Sequence, residues 1–191
     1  MPRFKVLDAA EMTPDQKEIA DSVLSTPGRS LATGPWSPWM RSPGLAKNLL
    51  KLGNHLRFKT SLPGRLNELA ILITAREWTS QFEWYAHYPM ALKAGLSPKI
   101  ADQIAADKRP PSGPGGMAAD EEAVYEFCIE MHRTKRVSDA TFAMARAQLS
   151  EQQVMDLIAV CGFYDLVSMT LNVGEVALPA GTPLPLAPLR R

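Results

Sequence analysis

Apolar residues recur at helical spacing along most of the chain, and no stretch shows the strict alternation of a half-buried strand. A hydroxyl residue followed by proline stands where several of these patterns begin, as at Thr13-Pro14, Ser42-Pro43 and Ser97-Pro98. A hydroxyl at the N-cap and a proline in the first turn both favour the start of a helix. The sequence therefore predicts an all-α, single-domain helical bundle of about seven or eight helices.

The stretch 68–94 combines an apolar helix with polar residues that have no evident packing role. Residues 69–73 are all apolar, so this helix should be covered on nearly all sides. Glu68 nevertheless stands at its head, on the same face as Ile71 and Leu72. A carboxylate on an apolar face needs a hydrogen-bond partner or a proton. This helix should end near Trp78-Thr79.

The next helix offers the candidate partner. Glu83 and His87 lie one turn apart, and their stripe continues into Met90 and Ala91, so the pair should face inward. A carboxylate beside an imidazole raises the pKa of the histidine and holds one ring tautomer, which suits proton transfer. The same spacing is also common on solvated helix surfaces, and a single inward histidine is often only a satisfied core residue.

Composition limits the class of protein. The 191 residues are 46% hydrophobic and 21% charged with a net charge of +1, which is typical of a globular protein and gives no electrostatic case for nucleic acid or an anionic membrane. No uninterrupted apolar run approaches the roughly eighteen residues of a membrane helix. The N-terminus lacks the apolar core of a signal peptide. We therefore expect a cytoplasmic protein with a small-molecule substrate, and neither nucleic acid nor membrane as a partner.

Three segments are predicted along the chain. Residues 1–34 form an N-terminal helix and loop, residues 35–177 the main helical domain, and residues 178–191 a proline-rich extended tail that is a candidate contact with a neighbouring subunit. Cys128 and Cys161 stand singly in apolar patterns, and no CxxC occurs. Both are predicted to be small buried hydrophobic residues.

Three runs of the sequence resemble the carboxymuconolactone decarboxylase family. They are Leu62-Pro63 with the segment 65–72, the segment Phe82–His87, and the segment 136–142 near the last helix. The likeness covers roughly residues 35–180 and is most specific between Glu68 and His87. It implies the all-α fold of the alkyl hydroperoxidase D-like superfamily and a homo-oligomer, either a trimer or a hexamer.

The chain departs from alkyl hydroperoxidase D at the residues that carry its redox chemistry. That enzyme has a glutamate, two cysteines in a CxxC and a histidine further along the same helix. Here Glu68 matches the glutamate and His87 the histidine, while Ser80 and Glu83 occupy the two cysteine positions. A thiol peroxidase cycle needs an attacking thiolate and a resolving thiol, so the resemblance favours the decarboxylase branch instead.

The decarboxylase resemblance assigns roles to particular residues. His87 would be the general acid/base, Glu83 would orient it, and Glu68 would be a second proton-transfer group, with neither cofactor nor metal required. Substrate binding has seven candidates: three arginines for carboxylates, three tryptophans for the cavity wall, and a serine at the positive end of a helix dipole. These are Arg57, Arg65, Arg41, Trp36, Trp39, Trp84 and Ser80.

Other functions fit the same residues. Glu68, Glu83 and His87 could form a metal site of two carboxylates and one histidine. A non-catalytic or small-molecule-binding helical oligomer could use the same scaffold, since a fold does not fix a function. A hydroperoxide reductase-like protein is the least favoured alternative because the CxxC is missing.

Overall fold

A computed structural model describes residues 2–26 and 29–189, and within these ranges the chain is all-helical. The described helices are α1 (Pro14–Leu24), α2 (Trp36–Trp39), α3 (Pro43–Phe58), α4 (Gly64–Glu77), α5 (Gln81–Lys93), α6 (Pro98–Ala105), α7 (Ala119–Thr134), α8 (Asp139–Gln148) and α9 (Glu151–Val173). The predicted all-α class is confirmed. The helix beyond the predicted number is α2, a single turn inside the loop that carries Trp36 and Trp39.

Helix α4 lies at the centre of the bundle and contacts α5, α6, α7 and α9. Residues 69–73 are completely buried, as their unbroken apolar run predicts. Each fully buried Leu or Ile stabilises the fold by about 1.5–3 kcal/mol relative to an exposed one. This helix therefore gives Glu68 a rigid support close to the middle of the molecule.

The turn between α4 and α5 brings their polar residues together. Thr79 has a left-handed backbone with φ 48°, which reverses the chain within three residues, and Ser80 then takes the N-cap position of α5. Helix α5 packs along α4. Pro89 lies inside α5, but the helix continues to Lys93, so the proline does not end it.

Helix α9 is long and apolar because it is a core helix with one free face. By length and composition alone it is the one helix among residues 2–26 and 29–189 that could cross a membrane. Half of the apolar window is buried inside the bundle, against α3, α4, α5 and α8. A core helix of a bundle passes the same test, so this finding is weak evidence for a membrane span.

The C-terminal segment has no regular secondary structure between residues 176 and 189 and packs on its own chain. Leu186 is only 2% exposed, and its backbone N–H and C=O both bond to the side-chain amide of Gln81, at 3.0 and 2.7 Å. The Arg76 guanidinium donates to the carbonyl of Ala187 at 2.7 Å. Of the predicted terminal segments, residues 1, 27, 28, 190 and 191 lie outside the described ranges.

Candidate active site

His87 is held between two carboxylates. Its Nδ1 lies 2.7 Å from Oε2 of Glu68 on α4, and its Nε2 lies 3.0 Å from Oε1 of Glu83, one turn earlier on α5. The side chains of His87 and Glu83 are each 5% exposed and that of Glu68 is 15% exposed. The predicted contact of Glu83 with His87 is present, and Glu68 contacts the other ring nitrogen of His87. We call these three residues the Glu–His–Glu row.

The two carboxylates keep the imidazole charged. Burial alone lowers the pKa of His87, but the charge of Glu83 and the hydrogen bonds that the imidazole donates to the glutamates outweigh it and raise the pKa to about 9. At neutral pH both ring nitrogens therefore carry protons: Nδ1–H donates to Glu68, and Nε2–H forms an ion pair with Glu83. The row holds a transferable proton in a mostly apolar environment.

A cavity of about 370 Å³ opens beside this row. Glu83 and His87 line it, whereas Glu68 lies behind the imidazole. The wall is largely aromatic and comes from the α2 loop, α5 and α9: Trp36, Trp39, Phe82, Tyr85, Phe163 and Tyr164. An apolar cavity with a few convergent polar groups is the usual form of a small-molecule site.

Tyr164 on α9 is one of the hydroxyl-bearing residues of the cavity and the one that contacts His87. Its ring meets the His87 ring edge-on, with 5.0 Å between centroids. Burial and the negative charges of Glu83 and Glu68 raise the pKa of Tyr164 well above its usual value, so the phenol is neutral. Its hydroxyl has no hydrogen-bond partner among the described residues. The phenol is therefore free to donate to a ligand.

Several of the predicted substrate-binding residues line this cavity. Arg57 lies on α3, and its Nη2 is 3.5 Å from the sulfur of Met90. Trp36 and Trp39 form part of the wall, with their rings edge to face at 5.5 Å. The structure therefore brings these three predicted residues to the same space as Glu83 and His87.

The other four predicted substrate-binding residues lie elsewhere, which corrects the expectation for each. Arg65 is held by Asp120 at 2.7 Å and Glu121 at 2.5 Å, and so joins α4 to α7.

Arg41 is exposed and donates to the carbonyl of Lys5 at 2.7 Å. Trp84 is buried against Tyr88, with stacked rings at 6.1 Å, and lines a separate groove. Ser80 is fully buried at the N-cap of α5 and does not line the cavity. Each therefore has a structural position in place of a ligand-facing one.

The two cysteines are buried, as predicted, but they also touch. Cys128 on α7 and Cys161 on α9 have their sulfur atoms 3.5 Å apart, and both side chains are fully buried. Burial raises the pKa of the Cys128 thiol well above its usual value. Neither thiol lines the cavity beside His87.

The geometry speaks against the proposed metal site. In the part of the chain that the structure describes, no group of three His, Cys, Asp or Glu side chains is arranged to hold a metal ion. Both nitrogens of His87 face carboxylates and carry protons at neutral pH, so neither offers the lone pair that a metal ligand requires.

Sequence reasoning did not connect Arg29 or Tyr164 with the cavity. Arg29 belongs to the loop after α1, and nothing in its spacing connects it with His87. Tyr164 lies in an apolar helical pattern that is typical of core residues, so the pattern does not indicate a role in a binding site. Its proximity to α5 depends on the packing of α9, which the local pattern does not reveal.

Solved structures reveal the fold although sequence comparisons do not. No protein-family model and no curated protein matches the chain. An uncharacterized peroxidase-related protein from Ralstonia eutropha JMP134, described as an alkylhydroperoxidase AhpD core, is similar with a TM-score of 0.74 and 17% identity, over 94% of this chain and 93% of that chain.

Two further structures agree. An uncharacterized peroxidase-related protein from Silicibacter sp. TM1040 has a TM-score of 0.72 at 11% identity, over 94% of this chain and 92% of that one. The debrominase Bmp8 has a TM-score of 0.72 at 11% identity, over 93% and 92% of the two chains. At such identities the likeness shows the fold alone. The chain therefore has the same fold as these proteins, which is the all-α fold expected from its sequence.

Proposed function

We propose that this protein is a cofactor-independent carboxy-lyase of the carboxymuconolactone decarboxylase type, acting on a small unsaturated lactone or carboxylic acid. The observation that carries the proposal is an imidazolium with a pKa of about 9 at the wall of an apolar cavity. At neutral pH this group is loaded with the proton that a carbanion-like intermediate must receive. The resemblance of the segment Glu68–His87 to that family supports the same reaction.

The reaction divides into two steps. The bond between the carboxylate and the ring carbon breaks, carbon dioxide leaves, and the electron pair is delocalised into the neighbouring carbonyl. The neutral hydroxyl of Tyr164 supports the negative oxygen that results, as a positioned hydrogen-bond donor. The proton shared by Nε2 of His87 and Glu83 then moves to the substrate carbon. Nε2 then regains a proton from solvent by way of the cavity, while Glu68 accepts the hydrogen bond of Nδ1–H and holds the ring in place.

A direct test measures carbon dioxide release from a panel of unsaturated lactone acids in heavy water. We expect turnover by the wild-type protein and one solvent deuterium in the product. His87→Gln should fold with lower stability than wild type and bind the substrate, but it should release no carbon dioxide. His55→Gln is the matched control, because His55 is an exposed histidine on α3. Equal rates for wild type and His87→Gln, or a product without deuterium, would contradict the proposal.

The alternative of a non-catalytic small-molecule-binding protein rests on the same cavity. It predicts saturable ligand binding without carbon dioxide release or deuterium incorporation. The hydroperoxide reductase alternative is weaker, because Ser80 and Glu83 replace the CxxC and the only described cysteine pair is fully buried outside the cavity. Peroxide consumption with a dithiol reductant should therefore be absent.

We also propose that the enzyme is a cytoplasmic homo-oligomer, a trimer or hexamer. Apolar side chains on α9 stand exposed at helical spacing, among them Met155, Ile158, Met169 and Val173. Such a row favours packing against another apolar helix. A second copy of the chain is the partner that the family resemblance implies.

A further inference from the structure

Two guanidinium groups line the cavity without an acidic partner. The Arg29 guanidinium lies over the Trp36 ring at 5.1 Å, and Arg57 contacts the Met90 sulfur and lies 5.2 Å from the Phe58 ring. Both side chains are half-buried, and among the described residues neither forms an ion pair. Ring and sulfur contacts compensate a guanidinium less well than a carboxylate does.

The two groups also repel one another. Burial, and then the positive charge of Arg57, lowers the pKa of Arg29, which places the two charges near each other. The positive charge of Arg57 therefore disfavours the charged form of Arg29. An anion placed between Arg29 and Arg57 would remove this repulsion and supply the missing partner to both.

The charges around the cavity indicate how many negative charges the ligand carries. The Glu–His–Glu row contributes two carboxylates and one imidazolium, and so has one net negative charge. The two guanidiniums bring the total to one net positive charge, while the Tyr164 phenol stays neutral. A ligand with a single negative charge would make the site neutral.

The wall of the cavity indicates the rest of the ligand. Aromatic side chains surround a space of about 370 Å³, near the lower end of the range of roughly 300–1,000 Å³ for small-molecule sites. Such a wall packs well against a flat ring. Other polar groups of the wall, among them His87 and Tyr164, can meet polar atoms of the ligand.

We propose that Arg29 and Arg57 together form a carboxylate-binding subsite that anchors a small planar ring bearing a single carboxylate. The ring lies against the aromatic wall, and the carbon that bears the carboxylate faces His87 and Tyr164, so this carboxylate is the one that leaves as carbon dioxide in the proposed reaction. This assignment rests on the proposed function for its account of the reaction, but the binding step is measured without turnover. Arg29 thereby becomes a substrate-positioning residue.

The first test uses calorimetry to compare the affinities of the wild-type protein for three ligands that share a phenyl ring. Benzoate carries one carboxylate, benzamide replaces it with a neutral amide, and phenyl phosphate carries a larger and more highly charged group. We expect benzoate to bind at least about tenfold more tightly than either of the others. Equal affinity for benzoate and benzamide, tighter binding of phenyl phosphate, or no benzoate binding at millimolar concentration would overturn the proposal.

The second test uses Arg29→Gln and Arg57→Gln, with Arg41→Gln as the matched control outside the cavity. Each cavity variant should weaken benzoate about 10- to 100-fold and leave benzamide unchanged, while the control binds like wild type. Removing one of two repelling charges should leave the melting temperature equal or higher, so a folding failure also counts against the proposal. Unchanged benzoate affinity in both cavity variants would overturn it.

The two proposals fail separately. If benzoate binds as expected but no lactone acid releases carbon dioxide, the subsite stands and the proposed reaction is wrong. If lactone acids are turned over while benzoate and benzamide bind alike, the reaction stands and the subsite is wrong.

Discussion

The charged state of His87 makes the stability of the protein depend on pH in a defined direction. The pKa of this imidazole is raised from 6.5 in the unfolded chain to about 9 in the folded one. A raised pKa means that the folded state binds the proton more tightly, so the stabilisation is fully present below pH 6.5 and is lost as the pH rises through 9. Each pKa unit corresponds to about 1.36 kcal/mol, so the whole contribution is about 3 kcal/mol.

The perturbation that isolates this contribution is His87→Gln. The free energy of unfolding of both proteins is measured with urea at about pH 6 and about pH 10. Groups that do not contact His87 titrate alike in both proteins and cancel in the difference between them. At low pH the variant should be the less stable one, because its two carboxylates have lost the imidazolium between them.

The gap between wild type and variant should then narrow by about 3 kcal/mol between the two pH values, because wild type alone loses the imidazolium. His55→Gln, at an exposed histidine, should show no such change. A gap that stays constant to within about 1 kcal/mol, or widens as pH rises, would refute the assignment of a charged imidazole between two carboxylates.

Three further predictions test the surroundings of the site. Leu186→Ala should lower the free energy of unfolding by about 2–3 kcal/mol in urea titrations, because this side chain is only 2% exposed. Leu184 is 71% exposed, so Leu184→Ala should leave the free energy of unfolding almost unchanged. Equal effects of the two substitutions would contradict the packing of the C-terminal segment. Gly53→Ala should weaken benzoate binding measured by calorimetry, because a new Cβ would lie 2.9 Å from Cζ of Phe163 and push that ring into the cavity. The Cβ of Gly162→Ala meets open space, so this control should bind benzoate like wild type. Equal benzoate affinity in the two variants would contradict the prediction. Met155→Glu should shift the mass measured by light scattering towards that of the monomer, because Met155 is 62% exposed on α9. Met144→Glu on α8 is the control and should leave the mass unchanged. Identical masses for the two variants would show that α9 is not part of the interface.

The helices could be predicted because their signals are local. Thr13 and Ser150 both form capping boxes at helix starts, as their spacing to Gln16 and Gln153 indicates. The approach of Glu83 to His87 follows from one turn of helix, so the sequence predicts it as well. The sequence also indicates that Glu68, a carboxylate on a buried face, needs a hydrogen-bond partner. In the structure that partner is His87 on the neighbouring helix.

The remaining features depend on the packing of residues far apart in the chain. The local sequence around Arg65 does not reveal the acidic partners of its side chain, because Asp120 and Glu121 lie on α7, more than fifty residues later. Cys128 and Cys161 are 33 residues apart, so no short motif announces their contact. Local patterns define a face of a helix but do not say which other face will cover it.

The most direct test of the central claim is an NMR titration of the three histidine rings with ¹⁵N labelling, assigned with His87→Gln. The Glu–His–Glu row predicts one imidazole, absent from the variant, that keeps protons on both nitrogens through neutral pH and titrates near 9. A His87 ring that titrates near the ordinary value of 6.5, or that is neutral throughout, would contradict the account.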